Sequence, residues 1–182
     1  MKRIIVSKYN PGWIRDFELL HDHIWPHISD VALSLEHVGS TSVPGLAAKP
    51  IIDLTIVAPN KETLKIIIKR LSSIGALHRG NLGIEGREAF TTLEGFPEHN
   101  LYACIAGCQA LENHLAIRNA LRANTSLATR YGKIKLELAQ RYFDDIDSYV
   151  EGKSSFLLAI LRDHGFTSDE LEEIQENNRK KS

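Results

Sequence analysis

Residues 37–55 read HVGSTSVPGLAAKPIIDLT, in which a loop of small residues separates two apolar runs. The second run, at residues 50–57, is the clearest strand prediction in the chain. Side chains alternate across a strand, so Asp53 and Thr55 are expected on one face and Ile52 and Leu54 on the other. A loop of small residues followed by a carboxylate on a strand is typical of a phosphate site beside a metal-binding acid.

The loop begins with Gly39 and Ser40. Glycine lets the backbone approach a phosphate closely, and serine donates from both its hydroxyl and its N–H. A helix that started just after Ser40 would add free N–H groups, which favour an anion. The alternative interpretation is a structural turn, the usual role of an isolated Gly-Ser pair. The later, strand-borne Asp53 makes the combination more specific.

Periodicity in the rest of the chain predicts an α/β (α+β) fold with a four- or five-stranded sheet and helices against one face. The predicted elements of the first half are helices at 13–26 and 60–75 and strands at 33–38, 50–57, 89–93 and 101–105. Beyond Gly107 the pattern is helical, and the third helix of this part is expected to start after Gly152. We expect one domain over residues 1–182, with an α/β half at 1–107 and a helical half at 108–182.

Composition narrows the class of protein. The net charge of −1 gives no basic field, so nucleic acid is an unlikely partner. No apolar run approaches the roughly 20 residues that a membrane-spanning helix needs, and no signal segment opens the chain, so we expect a cytoplasmic protein. Cys104 and Cys108 have no second pair at zinc-site spacing, which favours two reduced thiols over a metal site.

One longer motif, residues 36–53, resembles the signature of the GrpB family, which is classed within the nucleotidyltransferase superfamily. The likeness extends over about residues 9–162 and includes the short motifs YNPGW at 9–13, GRE at 86–88, HNLY at 99–102, NHLAIR at 113–118 and YVEGKS at 149–154. The resemblance implies a nucleotidyltransferase-like mixed sheet in which a Gly-Ser turn holds a triphosphate. It also implies an Asp-x-Asp pair and a later carboxylate that hold two divalent metals, ~3.5–4 Å apart.

Only part of that pattern is present. Gly39, Ser40 and Asp53 match it, but Thr55 stands where the second acid of the pair would be. The HNLY segment at 99–102 supplies no third acid either, which leaves Glu36, Glu85 and Glu88 as the nearby carboxylates by sequence. We therefore expect Asp53 as the catalytic and Mg²⁺-binding residue of a site that is better suited to phosphate or one metal than to two.

Further candidates fall into two groups. Beside Gly39 and Ser40, the expected nucleotide or phosphate ligands are Thr41, Lys49, Arg118 and Lys153; the expected pocket residues are His37, Thr55, Arg87, His99 and His114. Each has a structural alternative. Arg118 could bind an internal carboxylate, His114 could be a core histidine, and Arg87 could form a loop salt bridge. Lys153 could be a surface residue at a helix start. His37 and His99 could be a metal pair, although the absence of a third ligand at characteristic spacing favours lining residues.

Three functions remain open from the sequence. The first is Mg²⁺-dependent transfer of a nucleotidyl or related phosphoryl group to an unknown acceptor. The second is non-catalytic binding of a nucleotide or another phosphorylated small molecule, after loss of the second acid. In the third, the helical half is a surface for homo-oligomers or another partner, and the Gly-Ser loop is a turn. Lys135, on the rim of a helical stripe, is expected in solvent.

Overall fold

A four-stranded sheet forms the centre of the molecule, whose computed structural model describes residues 3–179; residues 1–2 and 180–182 of the predicted 1–182 domain lie outside it. The strands are β1 Ser34–Val38, β2 Ile52–Ala58, β3 Arg87–Ala89 and β4 His99–Ile105. Their order is β1-β2-β4-β3, with β2 and β4 parallel and both outer strands antiparallel to their neighbours. The predicted mixed sheet is confirmed.

Six helices accompany the sheet in the described part of the chain: α1 Gly12–Ile24, α2 Lys61–Ser73, α3 Gln109–Ala123, α4 Thr125–Arg141, α5 Ile146–Asp163 and α6 Ser168–Arg179. Side-chain caps define where several of them begin. Asn60 accepts a hydrogen bond from Thr63 N at 2.9 Å before α2, and Asn124 accepts one from Leu127 N at 2.9 Å before α4. Among residues 3–179, no helix is both long and apolar enough to cross a bilayer.

One face of the sheet is apolar and carries α1 and α2. Ile52, Leu54 and Ile56 are at most 1% exposed and share a core cluster with Leu20 of α1 and Ile67 of α2. Alternation along β2 then turns Asp53 and Thr55 to the opposite face. The prediction that Asp53 and Thr55 lie on one face of this strand, with the apolar residues on the other, is therefore confirmed.

The C-terminal helices cover that opposite face and are anchored on the loop after β1. Val43 and Leu46 of this loop belong to one buried cluster with Leu121 of α3, Tyr131 of α4 and Ile160 of α5. Burial of this cluster joins the helical part of the chain to the loop that precedes Asp53. The face of the sheet that carries Asp53 is thereby enclosed by elements distant in sequence.

Two element boundaries differ from the sequence prediction. The helix expected after Gly152 begins at Ile146, where the side chain of Asp145 accepts a hydrogen bond from Ser148 N at 3.0 Å. Gly152 lies inside α5, where a Cβ atom would come within 2.5 Å of Leu138 Cδ2. This glycine therefore allows close packing of α4 and α5 rather than starting a helix. The strand expected at 89–93 is shorter and earlier, as β3, and Phe90 beyond its end forms an isolated bridge with His78 and donates from its N–H to Leu101 O at 3.0 Å.

Candidate functional site

Gly39 and Asp53 are in direct contact at the end of β1. Gly39 has φ 68° and ψ −171°, a backbone conformation that is essentially restricted to glycine. A Cβ atom at this position would lie 2.1 Å from Asp53 Oδ2, which is well inside the van der Waals limit. The glycine thus combines an unusual turn with room for the carboxylate.

Hydrogen bonds inside the loop hold this turn in place. Ser42 Oγ donates to Gly39 O at 2.7 Å, and Thr41 Oγ1 donates to Ile51 O at 3.2 Å. Because the Thr41 hydroxyl proton is used there, Thr41 Oγ1 accepts from His37 Nε2 at 3.1 Å. Ser40–Ser42 form a single 3₁₀ turn, and no α-helix starts just after Ser40. The free N–H groups that such a helix would have added are therefore not part of this loop.

Three lysines and Asp53 line one small cavity, which we name the lysine cavity. It has a volume of about 200 Å³ and is lined by Ser40, Thr41, Lys49, Ile51, Asp53, Asn100, Lys135, Tyr149 and Lys153. Lys49 comes from the loop before β2, Lys135 from α4 and Lys153 from α5. The structure thus brings together Asp53 and four of the residues predicted for phosphate binding, Ser40, Thr41, Lys49 and Lys153. Its third lysine, Lys135, was not predicted for the site.

Lys135 is the residue that sequence reasoning missed. It was expected in solvent, yet it is 2% exposed, and its Nζ has no hydrogen-bond partner. Nζ lies 4.6 Å from the centroid of the Tyr131 ring, a cation–π contact within the same helix. Burial, with a smaller effect from the nearby Lys153 charge, lowers the pKa of Lys135 to about 7.

Lys153 faces the same cavity from the middle of α5 and is half-buried. Its Nζ lies 4.8 Å from the centroid of the Tyr149 ring. Burial and the neighbouring Lys49 charge lower the pKa of Lys153 to about 8, although Asp53 acts in the opposite direction. The sequence left two roles open for Lys153, a phosphate ligand or a surface residue at a helix start. Its half-buried position in the middle of α5 does not fit the second role.

Asp53 is held by one neutral partner and surrounded by cations. Its Oδ1 accepts a hydrogen bond from Asn100 Nδ2 at 2.8 Å, across the parallel β2–β4 pair. Burial raises the pKa of Asp53 above its usual value, even though the Asn100 hydrogen bond and the charges of the three lysines oppose the shift. One carboxylate among three ammonium groups leaves the lysine cavity with an excess of positive charge when all four groups are ionised. That balance suits an anionic ligand.

A second cavity of about 270 Å³ adjoins the first and shares Ser40, Asp53 and Lys153 with it. We name it the arginine cavity, because Arg87 enters it from β3. Its other polar lining residues include Tyr102 of β4 and Asn113 and His114 of α3. Thr55 lies beneath it, with Oγ1 at 3.4 Å from His114 Nδ1. Thr55 and His114 therefore contact each other close to Asp53.

The structure does not bring every predicted residue to these cavities. His37 and His99 pair in the sheet with Leu54 and Ile52, so both lie on the apolar face, opposite Asp53. His37 stacks on Phe17 at 4.6 Å between ring centroids. His99 is 3% exposed; its Nδ1 is 2.7 Å from Pro97 O, and its Nε2 accepts from Leu93 N at 3.1 Å. Both rings have structural partners.

Arg118 is also engaged elsewhere. Its Nη1 donates to Glu36 Oε2 at 2.7 Å and to His37 O at 3.2 Å. Burial would raise the pKa of Glu36, but the hydrogen bonds from Arg118 and Ser34, together with the charges of Arg118 and Arg122, outweigh it and lower that pKa. Of the two partners considered for Arg118 from sequence, the structure contains the internal carboxylate.

The carboxylates around Asp53 do not fit the two-metal site that the superfamily implies. Glu36 lies on the same sheet face but is bound by Arg118, and Glu88 is bound to His78 at 2.6 Å on the other face. Glu85 lines a separate cavity of about 670 Å³ that contains neither Asp53 nor the three lysines. Within residues 3–179, no group of three acidic, histidine or cysteine side chains has metal-site geometry. Asp53 is left with Asn100 and Thr55 as its polar neighbours on the strands.

Comparison with known proteins now bears on this geometry. The family model described as GrpB protein matches residues 3–163 of the chain. The chain belongs to the GrpB family. The resemblance noted in residues 36–53 is thereby confirmed, over a length close to that estimated from the motifs.

Relatives of the GrpB family extend the comparison. UPF0157 protein YqkA of Bacillus subtilis is 30% identical over 156 residues, which is 86% of this chain and 46% of that protein. The chain thus spans about half the length of this relative. The crystal structure of conserved protein GrpB from Enterococcus faecalis is 33% identical, with a TM-score of 0.77 over 93% of this chain and 99% of that one.

The fold also resembles more distant structures. Cid1 in complex with its short product ApU has a TM-score of 0.54 at 17% identity, over 84% of this chain and 49% of that one. Another structure, of the Cid1 poly(U) polymerase with MgGTP bound, has a TM-score of 0.51. At such identity the likeness concerns the fold alone, and it confirms the nucleotidyltransferase-like architecture predicted from sequence.

Proposed function

We propose that this GrpB-family chain binds a nucleotide or another phosphorylated small molecule, with a phosphate held in the lysine cavity. The single observation that carries the proposal is Lys135, a cation that is 2% exposed and whose Nζ has no hydrogen-bond partner. A buried ammonium group without a partner is costly, and an anion beside it would remove that cost. Lys49 and Lys153 line the same cavity and add to the attraction.

Ser40 and the turn at Gly39 supply the rest of the phosphate environment in this proposal. Ser40 lines both cavities, so its hydroxyl is available at their junction. Thr41 contributes mainly through the loop, because its hydroxyl is bound to Ile51 O and His37. Asp53 balances part of the charge of the lysines. The ligand charge is met by ammonium groups, and no step of binding is assigned to Mg²⁺.

Thermal shift and titration calorimetry with inorganic pyrophosphate, tripolyphosphate and the nucleoside triphosphates test the proposal, each with EDTA and with Mg²⁺. A ligand at 100 times its dissociation constant stabilises the folded state by about 2.7 kcal/mol. We expect stabilisation that persists in EDTA and is lost in Lys135→Met. Lys133→Met is the matched control, since Lys133 is an exposed lysine of the same helix. No response to any phosphate compound, or an equal loss in both variants, would refute the proposal.

Nucleotidyl transfer is the second candidate, and the observation in its favour is the placement of Asp53 against Gly39 and Ser40 in a nucleotidyltransferase-like fold. Such chemistry needs Mg²⁺ ligands besides Asp53, and the described residues around it do not supply a fitting set. Incubation with each nucleoside triphosphate, Mg²⁺ and cell extract as a source of acceptor distinguishes the candidates. Pyrophosphate release that Asp53→Asn abolishes would favour transfer over binding alone.

A further inference from the structure

Arg87 is a second buried cation, and it lies in the other cavity. It is 2% exposed, and its guanidinium carbon lies 4.6 Å from the centroid of the Tyr102 ring. Its Nε and Nη2 have no hydrogen-bond partner. The ion pairs found among residues 3–179 do not include Arg87, so the salt bridge considered from sequence is absent from this part of the chain.

A contact with one aromatic ring does not account for this arrangement. A cation–π contact offsets only part of the desolvation of a buried charge. Nε and Nη2 are adjacent N–H donors on one edge of the guanidinium plane, and this edge matches the two oxygens of a carboxylate or phosphate. Stacking on Tyr102 fixes the plane of the group. The charge and the donors of Arg87 are thus held ready for an oxyanion.

A further unpartnered atom lies in the same cavity. Asn113 Oδ1 is buried without a hydrogen-bond partner, and Asn113 lines the arginine cavity together with Arg87. Buried polar atoms without partners are rare in folded proteins, so two such side chains in one cavity point to a ligand that completes them. The cavity also contains Ser40, Asp53 and Lys153, which it shares with the lysine cavity.

We infer that the arginine cavity is a second anion subsite, so that the ligand carries two anionic groups. One is the phosphate in the lysine cavity, and the other is a carboxylate or second phosphate bound by Arg87, with a hydrogen-bond donor beside it that faces Asn113. This inference rests on the proposed function, because it assigns the far end of the same ligand. It narrows the ligand class to phosphorylated compounds with a second oxyanion at the opposite end.

A series of synthetic probes tests the inference without knowledge of the natural ligand. The probes are ω-carboxyalkyl phosphates with two to six methylene groups, n-alkyl phosphates of equal length, and the corresponding α,ω-bisphosphates. We expect one length of the carboxylated or bisphosphorylated series to bind at least ~10-fold more tightly than its alkyl counterpart, as a charged hydrogen-bonded pair predicts. The series with the larger gain identifies carboxylate or phosphate as the second group.

Variants of Arg87 separate a ligand role from a structural one. Arg87→Met retains the length of the side chain without the charge, and we expect an apo melting temperature at or above that of the wild type. The variant should bind carboxylated and alkyl probes equally, and pyrophosphate as the wild type does. Arg162→Met, at an exposed arginine of α5, should retain the discrimination. Arg87→Lys retains the charge without the two-donor edge, and it should discriminate less than the wild type between carboxylated and alkyl probes. It replaces Arg87→Met in this test if Arg87→Met does not fold.

Two results would overturn the inference. In the first, the wild type binds pyrophosphate, but it binds every carboxyalkyl phosphate and bisphosphate no more tightly than the alkyl phosphate of equal length. The second is an Arg87 variant that is less stable but discriminates the probes as the wild type does, which would make Arg87 structural. In both cases the proposed function survives. If the wild type responds neither to pyrophosphate nor to any probe, the proposed function fails as well.

Discussion

A methyl group on Gly39 would lie 2.1 Å from Asp53 Oδ2, so the identity of one residue sets the space for the other. The glycine also has φ 68°, and the two requirements can be separated by mutation. Gly45 also has a positive φ, of 80°, but apart from its chain neighbours no heavy atom lies within 4 Å of the point that a Cβ would occupy there, so it serves as a control for positive φ.

Gly39→Ala should therefore cost more stability than Gly45→Ala. The backbone conformation alone costs ~1–3 kcal/mol in either variant. Overpacking against Asp53 adds ~1–3 kcal/mol at Gly39 only. Combining Gly39→Ala with Asp53→Ala should remove the overpacking cost. Denaturant titration of Gly39→Ala, Gly45→Ala, Asp53→Ala and the double variant measures this coupling free energy. Equal losses for Gly39→Ala and Gly45→Ala would contradict the contact.

Lys135→Met should stabilise the protein in the absence of ligand. The substitution replaces a buried, unpartnered ammonium by an apolar side chain of similar length, which we expect to gain ~1–4 kcal/mol at pH 7. Burial lowers the pKa of Lys135 to about 7 in the folded state. Above that pH the unfolded chain therefore binds more protons than the folded chain does. Wild-type stability therefore gains from rising pH between about 7 and the unfolded value of ~10.4. The advantage of the variant should shrink over that range, and chemical denaturation at pH 7 and pH 9 checks it against Lys133→Met.

Anion binding near pH 8 should take up a proton. At that pH the free protein holds Lys135 mostly uncharged, and an anion beside it favours the ammonium form. The charged and titratable groups around it are Asp53, Lys49, Lys153, Tyr149 and the Tyr131 ring. Calorimetry with sulfate, which carries no titrating proton here, in two buffers of different ionisation enthalpy measures the uptake. Affinity should fall as pH rises above 7, and heats independent of the buffer would contradict the prediction.

Arg118→Met should affect stability and leave phosphate affinity unchanged. The Arg118 side chain is 13% exposed, and its guanidinium donates to Glu36 and to His37 O, so its loss should cost ~1.5–3 kcal/mol of unfolding free energy. Pyrophosphate titration of the folded variant gives the affinity. Weaker binding at unchanged stability would instead support the phosphate role that the sequence suggested for Arg118.

The local part of the site was predictable from the chain. Alternation along residues 50–57 places Asp53 and Thr55 together, and the small-residue loop brings Gly39 to Asp53. The alternation of side chains along β4 also predicts that His99 lies on the apolar face, since Leu101 and Ala103 share its face and are apolar. Periodicity predicted the α/β class, and the family motif added the nucleotidyltransferase-like mixed sheet, because periodicity does not determine strand order or direction.

Lys135 could not be found in this way. Helical periodicity relates Lys135 to Tyr131, but it does not say that α4 crosses the face of the sheet that carries Asp53. The burial of Arg87 has the same origin, because it depends on Tyr102 of a neighbouring strand. Contacts between residues far apart in sequence decide which charged side chains leave solvent, and a single sequence does not contain those contacts explicitly.

The lysine cavity draws Ser40, Lys49 and Asp53 from the first third of the chain, and Lys135 and Lys153 from two helices near its end. A ribosome makes the chain from the N-terminus, so the loop, Lys49 and the acid are synthesised well before Lys135 and Lys153. A nascent chain that ends before α4 carries the acid of the site with only one of its three lysines. The lysine cavity is therefore complete only after α5 has been synthesised.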